Sequence, residues 1–238
     1  TVTVVHDGSA VCNLVNSGFT YDCATVGRNA LSFDGVNDLV NCGAGSTLNI
    51  TGNTITLEAW IYPTAWRTNV FEGNIINKEG GNAGFMLRAG AGGTLNFALS
   101  RQVITPFTAG FTEINSAPGT LALNTWQHVA GTYDGTTMMF FLNGNPVTPV
   151  VAPTTGFLIQ TTANPMVIGG WSTDASRCFP GKIDDARVWN VAQPPASILA
   201  NKDLELCGDE AGLVAYYRMN QGIAGGNNAG LTSVTDQT

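Results

Sequence analysis

The sequence predicts an all-β fold, a two-sheet antiparallel sandwich of jellyroll type with one short helix, and three observations carry that reading. Short stretches alternate apolar and polar residues, and turn residues separate them at intervals of about ten. Asp134-Gly135 and Asn143-Gly144 supply the positive φ angles that tight hairpins demand. The 29 glycines are dispersed along the chain, which suits many tight connections better than flexible linkers.

Taken in order, Thr1-Val2-Thr3-Val4-Val5 is strand-like. From Thr54 to Ile61, residues Ile55, Leu57, Ala59 and Ile61 share one face, while Thr54, Thr56, Glu58 and Trp60 share the other. The first face is core and the second is mixed. Ile75-Ile76 and Phe85 to Leu87 read as strands, and Leu95, Phe97 and Leu99 alternate inward against Asn96, Ala98 and Ser100. The stretch Gln102 to Thr120, with Phe107, Phe111, Glu113 and Asn115, reads as a long irregular rim loop suited to recognition. Three antiparallel strands are expected at Gln127 to Tyr133, Thr137 to Leu142, and a short return near Val147. The single helix candidate follows Pro194-Pro195, at Ala196 to Lys202. The tract Gly222 to Gly230 is linker-like. One domain is therefore expected at residues 1–221, with 222–238 as a Gly/Asn-rich tail or linker to a following module.

A chain of 238 residues with 44% hydrophobic and 11% charged residues buries a sizeable core. Its net charge of −7 and lack of Lys/Arg clusters argue against nucleic acid and anionic membranes as partners. Its apolar runs are far shorter than the roughly 20 residues that span a bilayer, so no membrane insertion is expected.

The cysteines at 12, 23, 42, 178 and 207 lack the paired CxxC spacing of zinc or redox sites. A Cys12–Cys23 bridge is plausible across its short loop, and one further pair is available among Cys42, Cys178 and Cys207. An oxidising, extracellular setting is the favoured reading.

Four segments together resemble a known family. They are Ala30 to Asp38 (ALSFDGVND), Ile55 to Pro63 (ITLEAWIYP), Leu123 to Gly135 (LNTWQHVAGTYDG) with Leu142-Asn143-Gly144, and Gly181 to Asn190 (GKIDDARVWN). Their order and spacing resemble the laminin-G-like, concanavalin-A-like jellyroll modules of bacterial secreted or surface proteins. The resemblance implies two packed antiparallel sheets whose rim loops vary in function, some members binding glycans and others proteins. It also implies a structural Ca²⁺, for which Asp34, Asn37, Asp38 and Asp184 offer hard oxygen ligands. The stretch Gly212 to Asn220 resembles the region linking one such module to the next.

On strand parity Asp184 sides with Ala186 and Val188, toward apolar surroundings where it needs a partner. The plain alternative gives Asp34 and Asn37 to Asx turns and pairs Asp184 with Arg187 or an amide. Candidate ligand-binding residues are Trp66 and Trp171 in loop contexts, beside Arg67, Asn69 and Asp174. An aromatic ring against a sugar's C–H face, with polar groups on the hydroxyls, is suitable chemistry. Arg88 and Arg101 could join a groove. Trp60, Trp126 and Trp189 read as core, and His128 as a buried, hydrogen-bonded histidine.

No G-x-S-x-G elbow or H-E-x-x-H helix occurs, and two histidines make a Ser-His triad improbable. Glycoside hydrolysis needs two facing carboxyls, whereas Asp184 and Asp185 are adjacent and are expected on opposite faces. The expectation is thus a non-catalytic extracellular recognition module with a glycan or cell-surface ligand. The alternative is a structural or assembly module of a surface protein, with no glycan ligand.

Overall fold

The computed structural model describes residues 11–15, 20–24, 29–102, 110–151, 156–171, 174–221 and 232–238. Thr1 to Val5, Phe107 and Gly222 to Gly230 lie outside the described residues, as do the side chains of Cys12 and Cys23. Two antiparallel sheets face each other. The six-stranded sheet runs β4 (Val40–Asn41), β13 (Val167–Ile168), β6 (Asn74–Gly80), β7 (Ala83–Gly90), β8 (Thr94–Arg101) and β9 (Gly110–Asn115). The seven-stranded sheet runs β12 (Asn145–Val151), β11 (Met138–Leu142), β10 (Gln127–Tyr133), β5 (Ile55–Pro63), β14 (Pro180–Trp189) and β15 (Leu213–Tyr217), with β3 (Leu31–Asp34) also on β14. A separate hairpin joins β1 (Val11–Val15) to β2 (Thr20–Ala24), with Cys12 opposite Cys23 in its register.

Alternation places the core where the sequence predicts it. Ile55, Leu57, Ala59 and Ile61 of β5 meet Leu95, Phe97 and Leu99 of β8 in one buried cluster between the sheets. The Asp134 carboxylate accepts from the Thr136 and Thr137 N–H groups at 2.8 and 2.7 Å, closing the turn before β11. Asn143 and Gly144 both have positive φ, as a two-residue hairpin of this hand requires. The return strand β12 is longer than expected. The helix α1 (Pro195–Asn201) lies on the outer face of the seven-stranded sheet, where Ile198 packs against Ala130 and Phe141.

Four expectations are corrected. The stretch Gln102 to Thr120 is not all loop, because residues 110–115 form edge strand β9, with Ile114 inward and Phe111 and Glu113 outward. The last seven residues do not leave the domain: Gln237 N–H donates to Tyr216 O at 2.9 Å, Asp236 Oδ1 accepts from Tyr216 N–H at 3.0 Å, and Val234 packs on the core. Cys42 and Cys178 are both free, so no pair forms among Cys42, Cys178 and Cys207. Burial pushes the Cys42 thiol up to about 12. Of the three tryptophans read as core, Trp126 is exposed, Trp60 is half-buried, and buried Trp189 belongs to a separate outer-face cluster.

Candidate functional site

The outward residues of the six-stranded sheet form an amide-rich, charged surface. Pairing puts Asn74 opposite Arg88, Arg88 opposite Asn96, and Asn96 opposite Asn115. A second row runs through Asn77, Met86, Ala98 and Glu113. Directly opposed residues share a face, so both rows look away from the core, because Phe85, Leu87, Phe97 and Leu99 take the inward positions.

A recess of about 220 Å³ opens on this surface. Met86, Arg88 and Ala98 form its floor, Phe71 and Phe111 are its aromatic sides, and Glu79, Glu113 and Arg177 line it. Arg88 is buried and held by three acceptors: Asn74 Oδ1 at 3.0 Å, Asn96 Oδ1 at 3.3 Å and Glu79 Oε2 at 3.3 Å. Burial lowers its guanidinium to about 10, with the Glu79 charge opposing that shift. Arg177 Nη1 donates to the same Glu79 oxygen at 2.8 Å. Its guanidinium carbon lies 4.2 Å from the Trp171 ring centre and 5.7 Å from that of Phe71. Asn96 Nδ2 donates to Glu113 Oε2 at 3.1 Å, tying the floor to the edge strand. Asn77, between Met86 and Val167 in this surface, is buried with neither amide atom hydrogen-bonded.

The sequence-predicted ligand residues scatter. Arg88 lies in the recess. Trp171 supports Arg177 by stacking, and Asp174 lies 3.6 Å from Arg177 Nε while capping Ser176. Trp66 packs against the core. Arg67 clamps two backbones, donating to Cys178 O at 2.6 Å and to Gly35 O. Asn69 donates to Glu72 Oε1 at 2.8 Å within its own turn. Arg101 sits at the far end of β8 opposite Gly110, outside the recess lining. Sequence reasoning missed Glu79, Arg177, Phe71 and Met86 as parts of one site. The signal for Met86 was its place between inward Phe85 and Leu87; nothing local marked Arg177.

The four oxygen donors expected for Ca²⁺ do not converge. Asp34 Oδ1 accepts from the Val36 and Asn37 N–H groups, and Asp38 Oδ2 accepts from Asp34 N–H at 2.9 Å, so these three residues share one turn. Those backbone bonds, the Val36 one foremost, hold the Asp34 carboxyl below its usual range. Asp184 lies four residues along β14 from Pro180, the partner of Asp34, a separation of about 13 Å at strand rise. The parity argument for Asp184 is also overturned. A bulge between Asp184 and Arg187, with Asp185 at φ 49, puts Asp184 opposite outward Trp60 while Asp185 reaches Tyr216 on the same outer face. Among the described residues, the one trio of His, Cys, Asp or Glu close enough to share an ion is Cys207, Asp209 and Glu210. There the Glu210 carboxylate already accepts from the Cys207 and Gly208 N–H groups.

The outer face of the seven-stranded sheet holds a second, sealed polar group. Glu58 Oε1 accepts from Trp189 Nε1 at 2.9 Å and lies 3.6 Å from Arg187 Nη1, while Glu58 Oε2 lies 3.3 Å from His128 Nε2. Tyr216 donates to Asp185 at 2.6 Å, and Arg187 also donates to the carbonyls of Asn201, at the end of α1, and of Leu204 just beyond it. All these side chains are buried, His128 among them as expected. This network ties helix to sheet and offers a ligand no entrance.

A family model, the concanavalin A-like lectin/glucanases superfamily, matches residues 34–199. The chain belongs to that superfamily. No curated protein is similar to it in sequence. Among solved structures it is similar to a Bacteroides ovatus protein described as a candidate carbohydrate-binding protein, at 21% identity and TM-score 0.64 over 87% of this chain. The chain spans 57% of that protein's length. It is also similar to the Ruminococcus gnavus IT-sialidase CBM40 bound to α2,3-sialyllactose, at 14% identity and TM-score 0.57, covering 73% of this chain and 96% of that one. The receptor-binding domain of botulinum neurotoxin mosaic serotype C/D gives 13% identity and TM-score 0.54, over 81% of this chain and 50% of that one. At these identities the likeness is one of fold. Among the described residues no helix is long and apolar enough to cross a membrane.

Proposed function

We propose that this superfamily member is a non-catalytic carbohydrate-recognition module that takes its ligand in the recess on the six-stranded sheet, outside the cell. The observation that carries the reading is the recess itself: two phenyl rings beside the guanidinium groups of Arg88 and Arg177 and the carboxylates of Glu79 and Glu113. Phenyl faces suit sugar C–H surfaces, and fixed charged groups suit hydroxyls. Asn77 adds a buried amide on the same surface with no protein partner. Such a group costs roughly 1–3 kcal/mol unless a water or ligand satisfies it. Two of the similar structures are described in terms of carbohydrate binding, which agrees with this reading.

The recess is poorly equipped for hydrolysis. Glu79 is committed as an acceptor to two guanidinium groups, which holds it as a carboxylate and leaves Glu113 as the one other carboxyl in the recess. A calcium ion, if part of the module, belongs to the Asp34–Asn37–Asp38 turn, where each carboxylate keeps a second oxygen, and excludes Asp184.

The test is a glycan-array screen of the whole chain, repeated with EDTA and with Ala98→Leu. That substitution fills the recess floor without touching the core face. Specific glycan binding that falls at least about tenfold in Ala98→Leu at unchanged Tm is expected, the recess being too small to share. Binding that survives Ala98→Leu contradicts the placement. Loss of binding or of Tm in EDTA supports calcium at the turn, and indifference to EDTA removes it.

A further inference from the structure

The charge inventory of the recess narrows the ligand. Its ionisable groups are Arg88, Arg177, Glu79 and Glu113, two cations and two anions. The cations are not waiting for an anion: both guanidinium groups donate to Glu79 Oε2, and Arg88 is further bound by Asn74 and Asn96. Arg177 is also stacked on Trp171. A carboxylated or sulfated ligand would compete with Glu79 for two guanidinium groups already paired with it, weakening the compensation of that nearly buried carboxylate. It would also face Glu113 and a chain of net charge −7, so neither steering nor contact favours it.

An uncharged polyol meets no such cost. Its hydroxyls accept from guanidinium N–H groups not used internally and donate to carboxylate oxygens, leaving every ion pair in place. Size adds a second limit. At about 220 Å³ the recess is smaller than the roughly 300–1,000 Å³ of sites that enclose drug-sized ligands, so it takes one ring rather than an oligosaccharide.

We infer that the ligand is an uncharged sugar, bound through a single ring, terminal or protruding, between Phe71 and Phe111. The inference rests on the recognition reading above and specifies its ligand class. Calorimetric titration of the whole chain tests it, with methyl pyranosides and neutral disaccharides against N-acetylneuraminic acid, glucuronic acid and sulfated sugars of the same size. Neutral sugars are expected to bind at least about tenfold more tightly, with Kd changing less than about twofold from about 50 to about 500 mM NaCl, because no net charge is exchanged. Preference for acidic sugars, with Kd rising steeply with salt, overturns the inference while leaving the recognition module intact. Failure of both classes to bind overturns the inference together with the reading beneath it.

Discussion

Glu58→Gln is expected to cost about 3–5 kcal/mol of folding stability, the range for removing one partner of a buried charge pair. Glu58 stands opposite Arg187 in the β5–β14 pairing and opposite Ala130 in the β5–β10 pairing, at the centre of the seven-stranded sheet. Burial pushes its carboxyl up, but His128 and the Arg187 charge pull it down further, to about 2 from 4.5. Arg187 is itself buried; burial opposes its charge, and Glu58 and Asp185 restore it. With the carboxylate gone, buried Arg187 keeps only the Asp185 carboxylate, at 3.7 Å, as its anion, and His128 Nε2 loses its Glu58 contact.

The same group sets an acid limb. A carboxyl whose folded pKa lies below its unfolded value contributes stability that is fully present above about pH 4.5 and is lost as pH falls toward 2. A drop of that size corresponds to about 3 kcal/mol. Urea unfolding at a series of pH values checks both points: wild type should weaken across that window and Glu58→Gln should show a shallower limb. A variant within about 1 kcal/mol of wild type at neutral pH would show that the outer-face network does not hold the helix to the sheet.

Phe97→Ala is expected to cost about 3–5 kcal/mol, as ring deletion from a packed core does. Phe97 is fully buried on β8, and its ring meets the opposite sheet at Gly131 of β10. A Cβ at Gly131 would lie 2.7 Å from Phe97 Cγ, so glycine is required there by the ring rather than by the backbone. Gly131→Ala alone should therefore destabilise by about 1–3 kcal/mol through overpacking. In the Phe97→Ala background the new methyl enters vacated space, and the same change should be neutral or stabilising. A double-mutant cycle by chemical denaturation reads this coupling directly. Additive costs would mean that the two sheets do not touch at this pair.

The sandwich was legible because alternation with a strict period of two survives in β5, β8 and β10, and because Asp-Gly and Asn-Gly mark their turns without ambiguity. The recess was less legible for identifiable reasons. Residues Asn74 to Glu79 hold an irregularity between Asn74 and Ile76, so two isoleucines in succession hide which of Asn77, Lys78 and Glu79 faces out. Arg177 reaches the site from a turn after Trp171 and meets Glu79 across 98 positions, a separation no local pattern reports. Asp184 misled because parity assumes an unbroken ladder, and the bulge at Asp185 resets the count. Phe111 and Glu113 were named but left in a loop, although Ile114 between Glu113 and Asn115 already alternated as an edge strand does.

Five methionines provide probes for the central claim, that ligand sits on the six-stranded sheet. Met86 lines the recess, Met138, Met166 and Met219 lie in the core between the sheets, and Met139 packs beneath α1 on the opposite outer face. Methyl NMR of selectively labelled protein, titrated with a neutral sugar that binds it, should move the Met86 resonance in proportion to occupancy and leave Met139 in place. A shift at Met139 with Met86 unmoved would put the ligand on the other sheet and contradict the account.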